Sequence, residues 1–134
     1  MKKIVASNKI YLSQSKMPNA GRGVFANIPV KKGEIIEICP VIALAQHDSP
    51  NVTDSFLINY FYFFGKKKER IVLVLGYGSL YNHSYTPNAK YKEQYGDKSV
   101  VFIALRDIEK DEEIIVNYVQ GNKHQKYPLW FDAH

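Results

Sequence analysis

The segment "LYNHSYTPNAKY", residues 80–91, concentrates groups that could do chemistry in one short stretch. It follows an apolar run, where a turn is expected, yet it combines two amides, an imidazole, two hydroxyls, a proline and three phenols. Asn82 and His83 are the candidates for holding a ligand. Ser84 has no acid partner pattern nearby, so a serine nucleophile is not favoured.

Three other pieces of the chain could serve the same site. "GRGVFA" places Arg22 between two glycines, and a missing Cβ lets the backbone approach a ligand closely. "DEEIIVNY" is a strand-like run that ends on Tyr118. The tail "YPLWF" contains Tyr127, Trp130 and Phe131.

Each piece also has a purely structural interpretation. The glycines of "GRG" would suit a plain turn between strands, and His83 would suit a satisfied structural imidazole. Tyr118 would suit an aromatic residue at a sheet edge, and the tail would suit core packing. The residues alone leave these alternatives open.

The acidic cluster at residues 111–113 resembles a paired-carboxylate site at first sight. We predict a solvated turn for Asp111 and Glu112, because charge runs usually face water. Glu113 lies at the edge of the strand that follows, so we predict that it accepts hydrogen bonds from neighbouring donors.

The elements that must position these groups are mostly β-strands. The runs "KIVA", "GVFANI", "EIIEICPVIAL", "FLINYFYFF", "RIVLVL", "VVFIAL" and "EIIVNY" are short, rich in Val, Ile, Phe and Tyr, and separated by glycines. Pro40 predicts a strand start or edge at its position. The run "TDSFLINYFY" is ambiguous and could carry a helical turn capped by Thr53 or Asp54. Another helical turn is predicted near Tyr127–Phe131.

Length and composition fit one globular domain over residues 1–134. The chain is 46% hydrophobic, which favours a folded core, and its net charge of +5 suits an acidic partner. A single cysteine, Cys39, excludes an internal disulfide and a cysteine-based zinc cluster. The N-terminus lacks an apolar h-region and no segment approaches a membrane span, so we expect an intracellular protein without a membrane partner.

The order and spacing of these motifs resemble the SET-domain family of protein lysine methyltransferases. The matching pieces are Gly-x-Gly, the "NHS" that is followed two residues later by "PN", and a Glu-Glu strand that ends on a tyrosine. The resemblance covers roughly residues 3–131 and is closest to minimal, stand-alone viral and bacterial members without cysteine-rich flanking modules. It implies a mostly β, β-clip-like fold of several small sheets, with a C-terminal pseudo-knot and one or two short helical turns.

The resemblance also implies a cofactor, S-adenosylmethionine, which leaves as S-adenosylhomocysteine, and no metal. Tyr118 would be the catalytic tyrosine. Tyr60 would line the lysine channel, with Tyr62 as the competing choice, and Tyr91 would line it as well. The cofactor would be bound by Gly21, Arg22, Gly23, Asn82, His83, Tyr118 and Trp130.

The activity implied is methyl transfer to a lysine side chain of a protein substrate, with a histone or histone-like protein as a candidate. Tyr91 would limit the product to mainly one methyl group. We expect a homodimer, located in the cytoplasm if the protein is microbial and in the nucleus or a host nucleus otherwise. The alternatives are an inactive SET-like binding module and a basic, aromatic β module that binds nucleic acid. The second leaves the ordered motifs unexplained.

Overall fold

The computed structural model of the chain describes residues 3–65 and 70–119, and its regular elements are mostly strands. No helix in these two ranges is long and apolar enough to cross a membrane. One α-helix, α1 (Ser49–Thr53), and 3₁₀ turns at Gln46–Asp48, Phe56–Tyr60 and Gly78–Leu80 accompany the strands. The strands in these ranges are β1 (Ile10–Gln14), β2 (Arg22–Ala26), β3 (Ile35–Ala43), β4 (Phe61–Phe64), β5 (Arg70–Val74), β6 (Asn82–His83), β7 (Ala89–Gln94), β8 (Ser99–Ala104) and β9 (Glu113–Val116).

The strands form two sheets whose spatial order departs from their order along the chain. One sheet has the order β1-β2-β9-β6 and the other has the order β4-β5-β3-β8-β7. β6 pairs with β9 in parallel, and the remaining pairs are antiparallel. These small sheets and short helical turns confirm the mostly β prediction. The pseudo-knot stays a prediction, because residues 120–134 lie outside the described ranges.

The two sheets share one hydrophobic core. Val24 and Ile114 come from the first sheet and Val72 and Phe102 from the second, and all four are fully buried. The largest fully buried side chain is that of Tyr81, which stacks on the Phe102 ring with a centroid separation of 4.3 Å. A large aromatic contact area at this point joins the segment before β6 to the larger sheet.

Strand β3 lies inside the larger sheet and shows two irregularities. The register with β8 shifts between Ile35 and Glu37, and the consecutive residues Ile36 and Glu37 are both buried. A β-bulge of this kind turns a side chain toward the interior that simple alternation would direct outward. Pro40 ends the pairing with β8, and Val41 begins the pairing with β5. The prediction of a strand start or edge at Pro40 is therefore wrong, because the missing N–H falls where β3 changes partner.

Three local predictions are corrected by the structure. "KIVA" forms no strand, because residues 3–9 pair with no strand and Val5 is exposed. The run "FLINYFYFF" divides into the 3₁₀ turn at Phe56–Tyr60 and β4. The cap of that turn is Ser55, whose hydroxyl accepts the Leu57 N–H at 3.2 Å. The helical turn predicted near Tyr127–Phe131 lies outside the described residues.

Two glycines of the larger sheet's turns adopt positive φ for different reasons. Gly33 has φ +86° and open space where a Cβ would stand. Gly76 has φ +63°, and a Cβ there would overlap the Glu37 carboxylate. Gly33 therefore relieves only backbone strain, whereas Gly76 also leaves room for a buried acid.

We predict that Gly76→Ala destabilises the protein more than Gly33→Ala does. Gly33→Ala should lower the free energy of unfolding by about 1 kcal/mol, the cost of a left-handed backbone with a Cβ. Gly76→Ala should cost about 3 kcal/mol, because the displaced carboxylate adds a steric penalty. Urea denaturation of the two variants measures the difference, and equal losses would contradict the steric role assigned to Gly76.

Candidate active site

A cavity of about 520 Å³ opens beside the β6–β9 pair. Its walls come from the end of the chain segment before β2, the 3₁₀ turn at Phe56–Tyr60 and the segment that leads into β6. The residues of the wall that matter most for the chemistry are Gly21, Arg22, Tyr60, Tyr81, Asn82 and Tyr118. The structure therefore brings together motifs that lie almost a hundred residues apart in the sequence.

The parallel pairing of β6 with β9 creates this convergence. Asn82 lies opposite Ile115 and His83 lies opposite Val116. Ser84 extends the pair, since its N–H donates to the Val116 carbonyl at 2.9 Å. Because Tyr118 lies only two residues after the end of β9, the pairing places the tyrosine next to the "NHS" motif.

The Asn82 side chain is bound to the protein through its nitrogen. Nδ2 donates to the Glu113 carboxylate at 2.8 Å and to the Arg22 carbonyl at 3.1 Å. A ligand in the cavity would therefore meet the amide oxygen or the backbone of Asn82, rather than its N–H groups.

Glu113 is the acceptor that the sequence predicted. Its carboxylate accepts the Ser15 hydroxyl at 2.9 Å and the Lys16 N–H at 3.2 Å, in addition to the Asn82 amide. Asp111, by contrast, is exposed and accepts the Tyr11 hydroxyl at 2.7 Å. This part of the acidic cluster faces solvent, as expected.

The glycines on either side of Arg22 have different functions in the structure. Gly21 has φ +71° and lies on the cavity wall together with Arg22. Gly23 is buried behind that wall, where a Cβ would overlap the Glu113 carboxylate and stand 3.1 Å from the Asn82 nitrogen. Gly23 therefore makes room for the Asn82–Glu113 hydrogen bond. Gly23 would affect ligand binding only through the positions of Asn82 and Glu113.

The His83 ring makes a structural contact, and cofactor binding by His83 stays a prediction. The ring is buried, and Nδ1 accepts the backbone N–H of Tyr118 at 3.0 Å. An Nδ1 that accepts this bond carries no proton, so His83 positions Tyr118 as a neutral imidazole. A role as general base for His83 is not supported by this geometry.

Tyr118 is held at three points. Its backbone N–H is bound to His83, its carbonyl accepts the Tyr91 hydroxyl at 2.8 Å, and its own hydroxyl donates to the Tyr81 carbonyl. Burial raises the pKa of the Tyr118 hydroxyl, and burial raises that of Tyr91 likewise. Both hydroxyls are consequently neutral at physiological pH and act as hydrogen-bonding groups.

Tyr60 and Tyr62 occupy different positions around Tyr118. Tyr60 lies on the cavity wall, and its role in a lysine channel stays a prediction. The buried Tyr62 donates its hydroxyl to the Gly78 carbonyl at 3.0 Å and contacts two tyrosines edge to face. Its ring centroid lies 5.0 Å from that of Tyr91 and 6.1 Å from that of Tyr118. Tyr91 is buried among these rings, and its role in a channel stays a prediction.

Two residues of this region were missed by the sequence reasoning. Tyr81 supplies the carbonyl that accepts the Tyr118 hydroxyl, and Glu37 accepts the Tyr81 hydroxyl at 2.9 Å. The signal for Glu37 was a lone acid inside the apolar run "EIIEICPVIAL", since a buried acid needs dedicated partners. The predicted cofactor residue Trp130 and its neighbours Tyr127 and Phe131 lie outside the described residues.

Residues 3–65 and 70–119 contain no group of three His, Cys, Asp or Glu side chains placed to share an ion. The candidate site consists instead of phenols, backbone carbonyls, an amide and a guanidinium.

Comparison with known proteins defines the class. The family model of the SET domain matches residues 21–119, and the chain therefore belongs to the SET-domain family. A curated relative is the histone-lysine N-methyltransferase, H3 lysine-37 specific, of Schizosaccharomyces pombe. It is 32% identical over 113 residues, which span 84% of this chain and 71% of the relative.

Solved structures agree with this membership. A Plasmodium falciparum protein described as a candidate histone methyltransferase is 36% identical, with a TM-score of 0.67, over 84% of this chain and 94% of that chain. A chain of the Chaetomium thermophilum Polycomb Repressive Complex 2, bound to S-adenosylmethionine, has a TM-score of 0.68 at 20% identity. That match covers 91% of this chain and 16% of the other, and shows the fold alone.

We predict that Asn82→Ala weakens S-adenosylmethionine binding by about tenfold or more. The change removes two hydrogen bonds that tie the cavity wall together and takes one of three donors from the half-buried Glu113 carboxylate. Asn27→Ala is the matched control, because its exposed amide binds the Asn8 carbonyl at 3.3 Å, and it should change affinity by less than about twofold. Calorimetric titration with S-adenosylmethionine measures the affinity. A folded Asn82→Ala protein with wild-type affinity would contradict the role of Asn82 in the cavity wall.

Proposed function

We propose that this protein is an S-adenosylmethionine-dependent protein-lysine N-methyltransferase. The observation that carries the proposal is the Tyr118 hydroxyl, which is oriented by the Tyr81 carbonyl on the wall of a cavity that Arg22 and Asn82 also line. Family membership and the names of the relatives support the same reaction. An inactive SET-like binding module would not require a tyrosine held at three points.

The residues of the cavity suit the cofactor. Gly21 leaves open space beside the wall, and the exposed Arg22 guanidinium can pair with a carboxylate in a bidentate geometry. The Asn82 amide oxygen is a hydrogen-bond acceptor, which suits the amino group of the cofactor. S-adenosylmethionine supplies a methyl group that is already activated on a sulfonium sulfur, so the protein needs to supply no metal or covalent nucleophile.

The first task of the protein is to present a neutral lysine amine. Removing the ammonium proton at pH 7 costs about 4–5 kcal/mol, given an ordinary lysine pKa near 10.4 and about 1.36 kcal/mol per pH unit. Aromatic surroundings lower the pKa of a lysine by desolvation. The rings of Tyr60 and Tyr62, together with Tyr91, supply such surroundings beside Tyr118.

The second task is alignment of the amine with the methyl group. The Tyr118 hydroxyl donates a hydrogen bond to the Tyr81 carbonyl. The lone pairs of the hydroxyl oxygen are therefore directed away from that carbonyl. We propose that they face the reacting methyl group and accept weak C–H contacts. Holding the reactants in line is a positioning task that can contribute several kcal/mol to the rate.

The substrate proposed here is a histone tail or a histone-like lysine segment. The Schizosaccharomyces pombe relative is named for a lysine of histone H3, and that specificity belongs to the relative. A net charge of +5 gives no long-range attraction to a basic tail, so selection of the lysine would depend on local contacts at the cavity mouth. A methyl-transfer assay against core histones and a proteome extract, followed by mass spectrometry, tests the substrate class.

The remaining proposals concern assembly and location. β4 and β7 are edge strands of the larger sheet, and exposed edges favour pairing with a second copy. We propose a homodimer on this basis, and light scattering that gives only the monomer mass at micromolar concentration would contradict it. We also propose an intracellular location, in the cytoplasm or a nucleus, without a role for nucleic acid.

We predict that Tyr118→Phe lowers turnover by about a hundredfold or more while cofactor affinity stays within about threefold. The change deletes one hydroxyl and keeps the ring and its contacts. Tyr95→Phe is the control, because it removes a phenol–carboxylate hydrogen bond to Glu93 at 2.6 Å on an exposed hairpin. A Tyr118→Phe protein that binds cofactor and turns over at the wild-type rate would remove Tyr118 from the chemistry.

We predict that wild-type protein adds mainly one methyl group and that Tyr91→Phe shifts the products toward two or three. The Tyr91 hydroxyl holds the Tyr118 carbonyl, and we propose that it also holds an ordered water in the space that a second methyl would need. Intact-peptide mass spectrometry measures the product ratio. Mostly trimethyl-lysine from the wild type, or an unchanged ratio in Tyr91→Phe, would defeat the assignment.

A further inference from the structure

Glu37 is a buried carboxylate behind the candidate site, and it lies outside the cavity wall. Only 7% of the residue is exposed, and it faces the interior because of the β3 bulge between Ile35 and Glu37. Burying an acid in a protein interior is expensive unless dedicated donors satisfy it. The position of Glu37 therefore calls for a reason beyond packing.

Both carboxylate oxygens of Glu37 bind the segment that leads into β6. Oε1 accepts the Tyr81 hydroxyl at 2.9 Å, and Oε2 accepts the Tyr77 N–H at 2.9 Å. Burial and the nearby Glu37 carboxylate raise the pKa of the Tyr81 hydroxyl, so this phenol stays a donor. Two hydrogen bonds that converge on one buried carboxyl group restrict the geometry of both donors.

The segment between these two contacts is fastened at further points. The Gly78 carbonyl accepts the Tyr62 hydroxyl at 3.0 Å, and the Ser79 hydroxyl donates to the Val74 carbonyl at 2.9 Å. Gly76 has φ +63° and leaves the space that the Glu37 carboxylate occupies. Hydrogen bonds at Tyr77, Gly78, Ser79 and Tyr81 therefore hold the segment next to the Glu37 carboxylate.

Tyr81 connects the Glu37 carboxylate to the Tyr118 hydroxyl. Its ring is fixed between the Glu37 hydrogen bond and the stack on Phe102, and its backbone carbonyl accepts the Tyr118 hydroxyl. A shift of the phenol would move the carbonyl of the same residue. The direction of the Tyr118 hydroxyl therefore depends on a carboxylate that the substrate never touches.

We propose that Glu37 is a positioning residue, which sets the orientation of the Tyr118 hydroxyl through Tyr81. This inference rests on the proposed catalytic role of Tyr118. It assigns the buried acid of "EIIEIC" to the reaction, although Glu37 contacts neither cofactor nor lysine. The orientation effect is separable from simple stability, because it predicts a change at Tyr118 while the cofactor wall at Arg22 and Asn82 stays intact.

The first measurement observes Tyr118 directly and needs no activity. 3-Fluorotyrosine is placed at position 118 alone, and its ¹⁹F resonance is recorded in otherwise unchanged protein and in Glu37→Gln and Tyr81→Phe variants. We expect a shifted or broadened resonance in both variants, because the Tyr81 carbonyl that accepts the Tyr118 hydroxyl is no longer held in place by the Glu37–Tyr81 hydrogen bond. Tyr11→Phe is the control, since it deletes a phenol–carboxylate bond of similar length, to Asp111 at 2.7 Å, on the surface. It should leave the resonance unchanged.

The second measurement separates turnover from binding in proteins without the label. Glu37→Gln and Tyr81→Phe should lower kcat about 10- to 100-fold, the range expected for a small misplacement, while the Kd for S-adenosylhomocysteine stays within about threefold. Tyr11→Phe should keep both values. Tyr81→Phe retains the ring and the carbonyl, so it gives the result even if Glu37→Gln fails to fold.

The outcomes distinguish this inference from the proposed function. A wild-type fluorine signal together with wild-type kcat in Tyr81→Phe overturns the inference, and so does a loss of kcat without any change at position 118. If the wild-type protein transfers no methyl group at all, the proposed function fails, and the fluorine spectra still decide whether Glu37 orients Tyr118. If Glu37→Gln lowers kcat but Tyr118→Phe does not, Glu37 acts by another route and the inference is wrong.

Discussion

The parallel pairing of β6 with β9 is the constraint on which the candidate site depends. Two residues on each strand suffice, because Asn82 and His83 are each fixed again by a side chain. The His83 ring binds the Tyr118 backbone, and the Asn82 amide binds Glu113 at the start of β9. An isolated two-residue pair would contribute little, so these side-chain bonds are what make the pairing specific. The Asn82 side of the cavity wall and the position of Tyr118 are consequently set by one junction.

Two partly or fully buried carboxylates organise the walls on either side of this junction. Glu113 fixes the Asn82 side, and Glu37 fixes the Tyr81 side. Each acid occupies space that a glycine leaves open, Gly23 for Glu113 and Gly76 for Glu37. Hydrogen bonds offset the cost of desolvating each acid: Glu113 accepts from three protein groups and Glu37 from two. These bonds also restrict the surrounding backbone. Glycines that the sequence presents as turn residues are in this way part of the site.

The sequence predicted the strands with strong β composition and the main site motifs. It did not predict features that depend on tertiary contacts, such as which segment finds a strand partner and which way a side chain faces. "KIVA" has strand composition but no partner, whereas β7 alternates buried Ala89 and Tyr91 with exposed lysines and was overlooked because of its charge. The inward direction of Glu37 depends on a bulge, and a bulge has no signature in the residue pattern of β3. The different functions of Gly21 and Gly23 likewise follow from β9, which is remote in sequence.

The placement of charge around the cavity follows from the reaction proposed. As far as the described residues form them, the cavity walls include no Asp or Glu side chain. A carboxylate in direct contact with a lysine would stabilise its ammonium form and oppose the loss of the proton. Neutral phenols whose pKa is raised by burial, such as Tyr118, avoid that penalty and still offer oxygen lone pairs to a polarised methyl group. Keeping Glu37 and Glu113 one layer behind the wall lets their strong hydrogen bonds fix the geometry without pairing with the substrate.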